Sequence, residues 1–236
     1  MLAMFQRVLG TVLLVCNVAY AGLDETVVLL PNSWDHKTSL PVAIWLHGYR
    51  ANPSGLLRDS HYQDTSDALG IAIVGVPGTQ EEGPGTYAWA KDSDLDVGRV
   101  ENALLEATRL KGVTFNRRIL FGFSQGAIMA AELAARFPSR FCGAIVLSPG
   151  GDIFPTPIAA VPENRKQIYF ISIGAGELQR RIAVARQYRQ ILGDLGSQVF
   201  YREVEGMSEH TRPPDWPERF REWVSRILNI QNDKSG

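Results

Sequence analysis

The chain has 236 residues, 45% of them hydrophobic, and a formal net charge of -1. That length and apolar content are enough for one large core without a split into two domains. The near-neutral balance gives no basis for binding a polyanion, so nucleic acid is not an expected partner.

The first 21 residues differ from the rest. Arg7 stands near the start, 8–18 is an apolar stretch, and Ala19-Tyr20-Ala21 offers the small residues a signal peptidase requires. The stretch is too short for a lasting bilayer anchor. It predicts a signal peptide over 1–21, an exported protein (periplasmic or secreted), and a single domain over 22–236. Cys16 follows the bulky Val15, which argues against lipoprotein processing. Cleavage after Ala21 leaves Cys142 as the one cysteine, so no intramolecular disulfide is expected.

Strand-like and helix-like segments then alternate, as an open parallel sheet demands. A first strand is predicted at 25–30. A second, at 41–46, runs into His47-Gly48-Tyr49, and a loop with helix follows at 53–69. Residues 71–76 read as a strand, and 77–93 as a long irregular stretch rich in glycine and proline, with Tyr87 and Trp89 near its end. Lying after a strand's carboxyl end, that stretch makes Trp89 a candidate wall of a substrate pocket, or else a residue that packs the loop onto the core. A helix at 94–110 carries Val97, Val100, Leu104 and Ala107 on one face.

The run Arg118-Ile119-Leu120-Phe121 is strand-forming, and Gly122-Phe123-Ser124-Gln125-Gly126 joins it directly to helix formers. This is the pattern of a nucleophile elbow: small residues two before and two after the serine avoid collision with the neighbouring strand and let the helix close on the sheet. Three fixed positions in five are weak alone. The change of composition at Ser124, and the small face of Gly126, Ala127, Ala130, Ala131 and Ala134, strengthen the pattern. The next strand, 141–147, makes Cys142 a buried and inert core residue, and Ser148-Pro149-Gly150-Gly151-Asp152 follows it. Only residues 149–166 lie between Ser148 and the strand at 167–173, too few for a helical lid domain, so an open site is expected. Gly174-Ala175-Gly176-Glu177 ends that strand, a helix is predicted over 178–192, a strand over 198–204, and a closing helix over 217–228.

A serine nucleophile needs an imidazole, and in elbow-type hydrolases the chain order is nucleophile, acid, histidine. His36, His47 and His61 all precede Ser124, which leaves His210, just after the strand at 198–204. Glu177, after the preceding strand, is the candidate acid, with Asp152 as its competitor. The N–H of Gln125 at the helix start and that of Tyr49, turned inward by the tight turn that Gly48 allows, are the candidate oxyanion donors. His47 reads as scaffold beneath that loop. Gly174-Ala175-Gly176 imitates a dinucleotide fingerprint, but Gln179 stands in place of its third glycine. No Walker-type or zinc-ligand spacing occurs, so no cofactor and no metal is expected.

With these motifs assembled, the chain resembles the α/β-hydrolase superfamily, and within it the carboxylesterase, phospholipase and acyl-protein thioesterase group, over about residues 40–228. The resemblance rests on His47-Gly48 after an early strand, the Gly-Phe-Ser-Gln-Gly elbow, the turn from Gly174 to Glu177, and Gly206-Met207 before His210. It implies an α/β fold with a mostly parallel central sheet, helices on both faces and no lid domain. It also implies Ser124, Glu177 and His210 as nucleophile, acid and base, with Tyr49 and Gln125 as oxyanion donors. Two departures stand out: Glu177 where the group commonly has aspartate, and one more residue between Met207 and His210 than in its common Gly-Met-Gly-His. A longer acid reaching a displaced imidazole would reconcile them.

The expected activity is hydrolysis of a small-molecule ester or thioester through an acyl-enzyme. A secreted lipase-like enzyme or polyester depolymerase, an acyltransferase, and a non-catalytic binding protein of the same fold are the alternatives.

Overall fold

The computed structural model describes residues 25–152 and 157–229. The expected leader, with Cys16, lies outside the described residues.

Alternating side chains decide the architecture. Along β2 (Leu40–Leu46), Val42, Ile44 and Leu46 enter one apolar cluster, whereas Ala43 and Trp45 enter another on the opposite face. The same two-sided burial recurs in β3 (Ala72–Val76) and β7 (Gly143–Leu147), where every residue is buried. Continuous apolar strands of this kind require cover on both sides. Helices α2 (Ser93–Lys111), α3 (Gln125–Arg136) and α4 (Gln179–Asp194) close the first face, and α1 (His61–Leu69) and α5 (Trp216–Leu228) the second.

Seven strands form the sheet in the order β1-β3-β2-β6-β7-β8-β9, with β1 (Val27–Leu29), β6 (Phe115–Phe123), β8 (Ile168–Gly174) and β9 (Gln198–Val204) completing it. β1 is antiparallel to β3, and all other neighbours are parallel. This is the expected α/β arrangement. The loops after β2, β6, β7, β8 and β9 therefore gather at one edge, the carboxyl edge where open parallel sheets place their sites.

Two segments depart from expectation. The stretch at 77–93 is not wholly irregular: β4 (Gln80–Gly83) and β5 (Thr86–Ala88) pair as a hairpin, tied to the loop after β2 where the Tyr87 N–H donates to the Ala51 carbonyl at 2.8 Å. Its strands are short and largely polar, so no two-residue period marked them. Strand β7 begins at Gly143 rather than 141, and Cys142 is half-buried at the fringe of the second cluster instead of inside the core. Between β7 and β8 the described residues hold only a 3-10 turn, Pro162–Lys166.

Candidate active site

The elbow is built by backbone crowding. Ser124 takes φ 57° and ψ -119°, a conformation costly for a residue with a side chain and sustained only where its surroundings over-determine it. Both flanking glycines are required by contact. A Cβ at Gly122 would overlap the Gly126 carbonyl in the first turn of α3, and one at Gly126 would overlap the Leu46 carbonyl at the end of β2. The Ser124 N–H donates to the Leu147 carbonyl at 3.1 Å, and its carbonyl accepts from Gly150 N–H at 3.1 Å, so β7 and its loop hold the turn as well.

The loops after β8 and β9 meet beside it. Glycines allow the approach: a Cβ at Gly174 would overlap the Met207 carbonyl, and Gly176 N–H donates to that same oxygen at 3.0 Å. The contact sets Glu177 against His210, with Nδ1 and Oε2 2.8 Å apart. The Glu177 side chain is 0% exposed, and Arg181, one helical turn on, brings Nη1 to 3.5 Å from the same oxygen. Asp152, the competing acid, is exposed; the carboxylate on the imidazole is that of Glu177. His210 packs on the ring of Phe123 at 4.7 Å between centroids. Its Nε2 is buried and has no hydrogen-bond partner among the described residues.

Ser124 and His210 line one cleft of about 450 Å³ together with Gly48 and Tyr49. The Gln125 N–H opens α3 and, like the Tyr49 N–H, makes no hydrogen bond among the described residues. The tight turn after β2 comes from Arg50, at φ 53°, rather than from Gly48. A Cβ at Gly48 would sit 3.4 Å from Ser124 Cβ, an ordinary contact distance, so Gly48 lies against the elbow without being required there by crowding. His47 is scaffold: Nε2 accepts Gly78 N–H at 2.9 Å, so Nδ1 carries the hydrogen it donates to the Gly48 carbonyl at 2.7 Å. Burial lowers the pKa of that imidazole and keeps it neutral.

The family model "Putative esterase" matches residues 24–167, which hold the loop after β2 and the elbow. The chain belongs to this esterase family. The curated relative "Putative esterase NocK" of Nocardia uniformis subsp. tsuyamanensis is 32% identical over 124 residues, 51% of this chain and 35% of that protein, so the chain spans about a third of its length. Among solved structures, esterase PE8 superposes with a TM-score of 0.65 at 20% identity, over 86% of this chain and 99% of that one. The Bacillus cereus carboxylesterase gives 0.58 at 19% identity, over 86% and 93%. These structural likenesses show the fold, that of the α/β-hydrolase esterases.

In this esterase-family chain Trp89 does not line the cleft beside Ser124. It is 2% exposed, its indole N–H donates to the His47 carbonyl at 2.9 Å, and its own backbone N–H and carbonyl pair with the Gln125 side-chain amide at 3.2 and 3.3 Å. Of its two expected roles, Trp89 has the packing one: it is a strut that joins the loop after β2 to the start of α3. Aromatic character near a strand end did not distinguish the two roles. Two residues at the site escaped the sequence reading. A Cβ at Gly150 would lie 2.7 Å from Ser124 Oγ and 3.5 Å from His210 Nε2, so only glycine leaves that space open. Ser148, strained at φ 42°, donates its hydroxyl to the Thr211 carbonyl at 3.3 Å and tethers the histidine loop. The signal for Gly150 was the Pro-Gly-Gly run after β7; Ser148 had none.

Proposed function

We propose that the protein is a serine hydrolase that cleaves carboxylic esters or thioesters in two steps through an acyl-enzyme. The observation that carries this is the strained Ser124 elbow sharing a cleft with His210, whose Nδ1 meets a fully buried carboxylate. Glu177 holds the imidazole in the tautomer with hydrogen on Nδ1, which leaves Nε2 to take the Ser124 proton. The serine oxygen attacks the carbonyl carbon, and the Gln125 and Tyr49 amides, without partners among the described residues, receive the negative charge on the carbonyl oxygen. His210 returns the proton to the leaving alcohol or thiol. Water then enters, loses a proton to His210 and releases the acid by the same route. The family and the fold support ester hydrolysis as the reaction class.

The test is labelling with a fluorophosphonate, mapped by mass spectrometry, alongside p-nitrophenyl acetate turnover. We expect the label on Ser124, and Ser124→Ala to lower turnover about 10⁴-fold or more. An unlabelled protein, or an unimpaired variant, would remove the assignment. The same reading puts the enzyme outside the cytoplasm, because of Arg7, the apolar 8–18 and Ala19-Tyr20-Ala21. A mature amino terminus at Gly22 in the exported fraction checks it.

A further inference from the structure

The cleft that holds Ser124 and Tyr49 has a further wall made by Trp45, Arg58, Asp59, Tyr62 and Arg212. Hydrogen-bond donors outnumber acceptors there. Arg212 donates to Asp59 Oδ2 at 2.6 Å and to the Tyr62 hydroxyl oxygen at 2.9 Å. That oxygen also accepts from Trp216 Nε1 at 3.3 Å, so both of its lone pairs are engaged and its own hydrogen remains to be donated. Asp59 balances one guanidinium. Arg58 is exposed and has no carboxylate within ion-pair distance among the described residues, which leaves the wall one positive charge in excess. The indole N–H of Trp45, a residue only 9% exposed, is buried with no acceptor among the described residues. The Tyr49 hydroxyl, elsewhere in the lining, donates to Glu82, whose charge Arg50 answers at 3.6 Å, so that pair adds no excess of its own.

We propose that this wall receives a carboxylate carried by the substrate, so that the preferred substrates are esters bearing a free carboxylate, with Arg58 as the residue that selects them. The inference rests on the serine-hydrolase reading. The carboxylate could belong to the acyl group or to the leaving alcohol, and paired substrates separate the two: mono-p-nitrophenyl glutarate against p-nitrophenyl valerate, and 3-carboxyphenyl butyrate against phenyl butyrate. The readout is the ratio of kcat/KM for the charged ester over its neutral counterpart, which cancels general losses in a variant.

In one pair or both, Arg58→Gln should lower that ratio about tenfold, mostly through KM, and raising salt should move the native ratio toward the variant's. A ratio altered less than about threefold by Arg58→Gln in both pairs would overturn the proposal. Fluorophosphonate labelling run in parallel distinguishes the two failures. A labelled enzyme with an unmoved ratio loses only the carboxylate site, whereas an unlabelled one loses the hydrolase reading itself.

Discussion

The two halves of the site are held by different physics. Around Ser124 the constraint is backbone against backbone: Gly122 meets the first turn of α3, Gly126 meets the end of β2, and β7 and the loop after it each bond to the serine. Around His210 the constraint is a set of directed polar contacts on a loop: Glu177 on Nδ1, Ser148 on the Thr211 carbonyl, and Arg212 on Asp59 and Tyr62. Steric crowding in a close-packed core has no soft direction, whereas a hydrogen-bonded loop can shift and re-form. Ser124 is thus fixed by the fold, and His210 is positioned by partners that can be changed one at a time.

That contrast can be broken most severely at the elbow. Gly126→Ala should destabilise the protein by about 3 kcal/mol or more, since the methyl group meets the Leu46 carbonyl and neither strand nor helix can retreat cheaply. Urea unfolding measures it, and a loss under about 1 kcal/mol would mean that the elbow relaxes.

On the loop side, Glu177→Asp should leave the fold nearly intact yet lower kcat about 100-fold, because the shorter carboxylate retreats from an imidazole set by the longer loop after Met207. Unimpaired kcat would show that the loop follows the acid and that the glutamate and the additional loop residue are not matched. The smallest effect concerns His47. Its folded pKa lies below the value of about 6.5 in the unfolded chain, so the unfolded state binds more protons in that range. The stability it contributes is complete above about pH 6.5 and is lost as pH falls from there through the folded value, where a proton on Nε2 expels Gly78 N–H. Urea midpoints across pH 5 to 8 should therefore fall less steeply on the acid side in His47→Gln than in the native chain; parallel slopes would show that His47 does not titrate in that window.

Much of this was legible in the chain. The strands at 41–46 and 198–204 and the helix at 94–110 emerge close to their expected bounds because continuous apolar runs and a 3.6-residue period are local properties. The elbow was legible for the same reason: the crowding that demands Gly122 and Gly126 acts across five residues. The β4–β5 hairpin was not, since its short polar strands are held by turn glycines and by the bond to Ala51 rather than by burial. Trp89 was ambiguous, because a tryptophan that walls a pocket and one that braces a loop have identical neighbours in sequence.

What the sequence determined alone was the order of elements, the serine at a strand-to-helix turn, and a lone histidine downstream of it, each set by steric or hydrophobic patterns a few residues long. Only the tertiary structure decided which carboxylate meets that histidine, that Trp89 is a strut, and that Arg58, Trp45 and Arg212 share one wall. Arg212 reaches Tyr62 across 150 positions of chain. Contacts between segments so far apart depend on how the sheet orders its strands and how its loops pack, and no pattern within one segment encodes that distance.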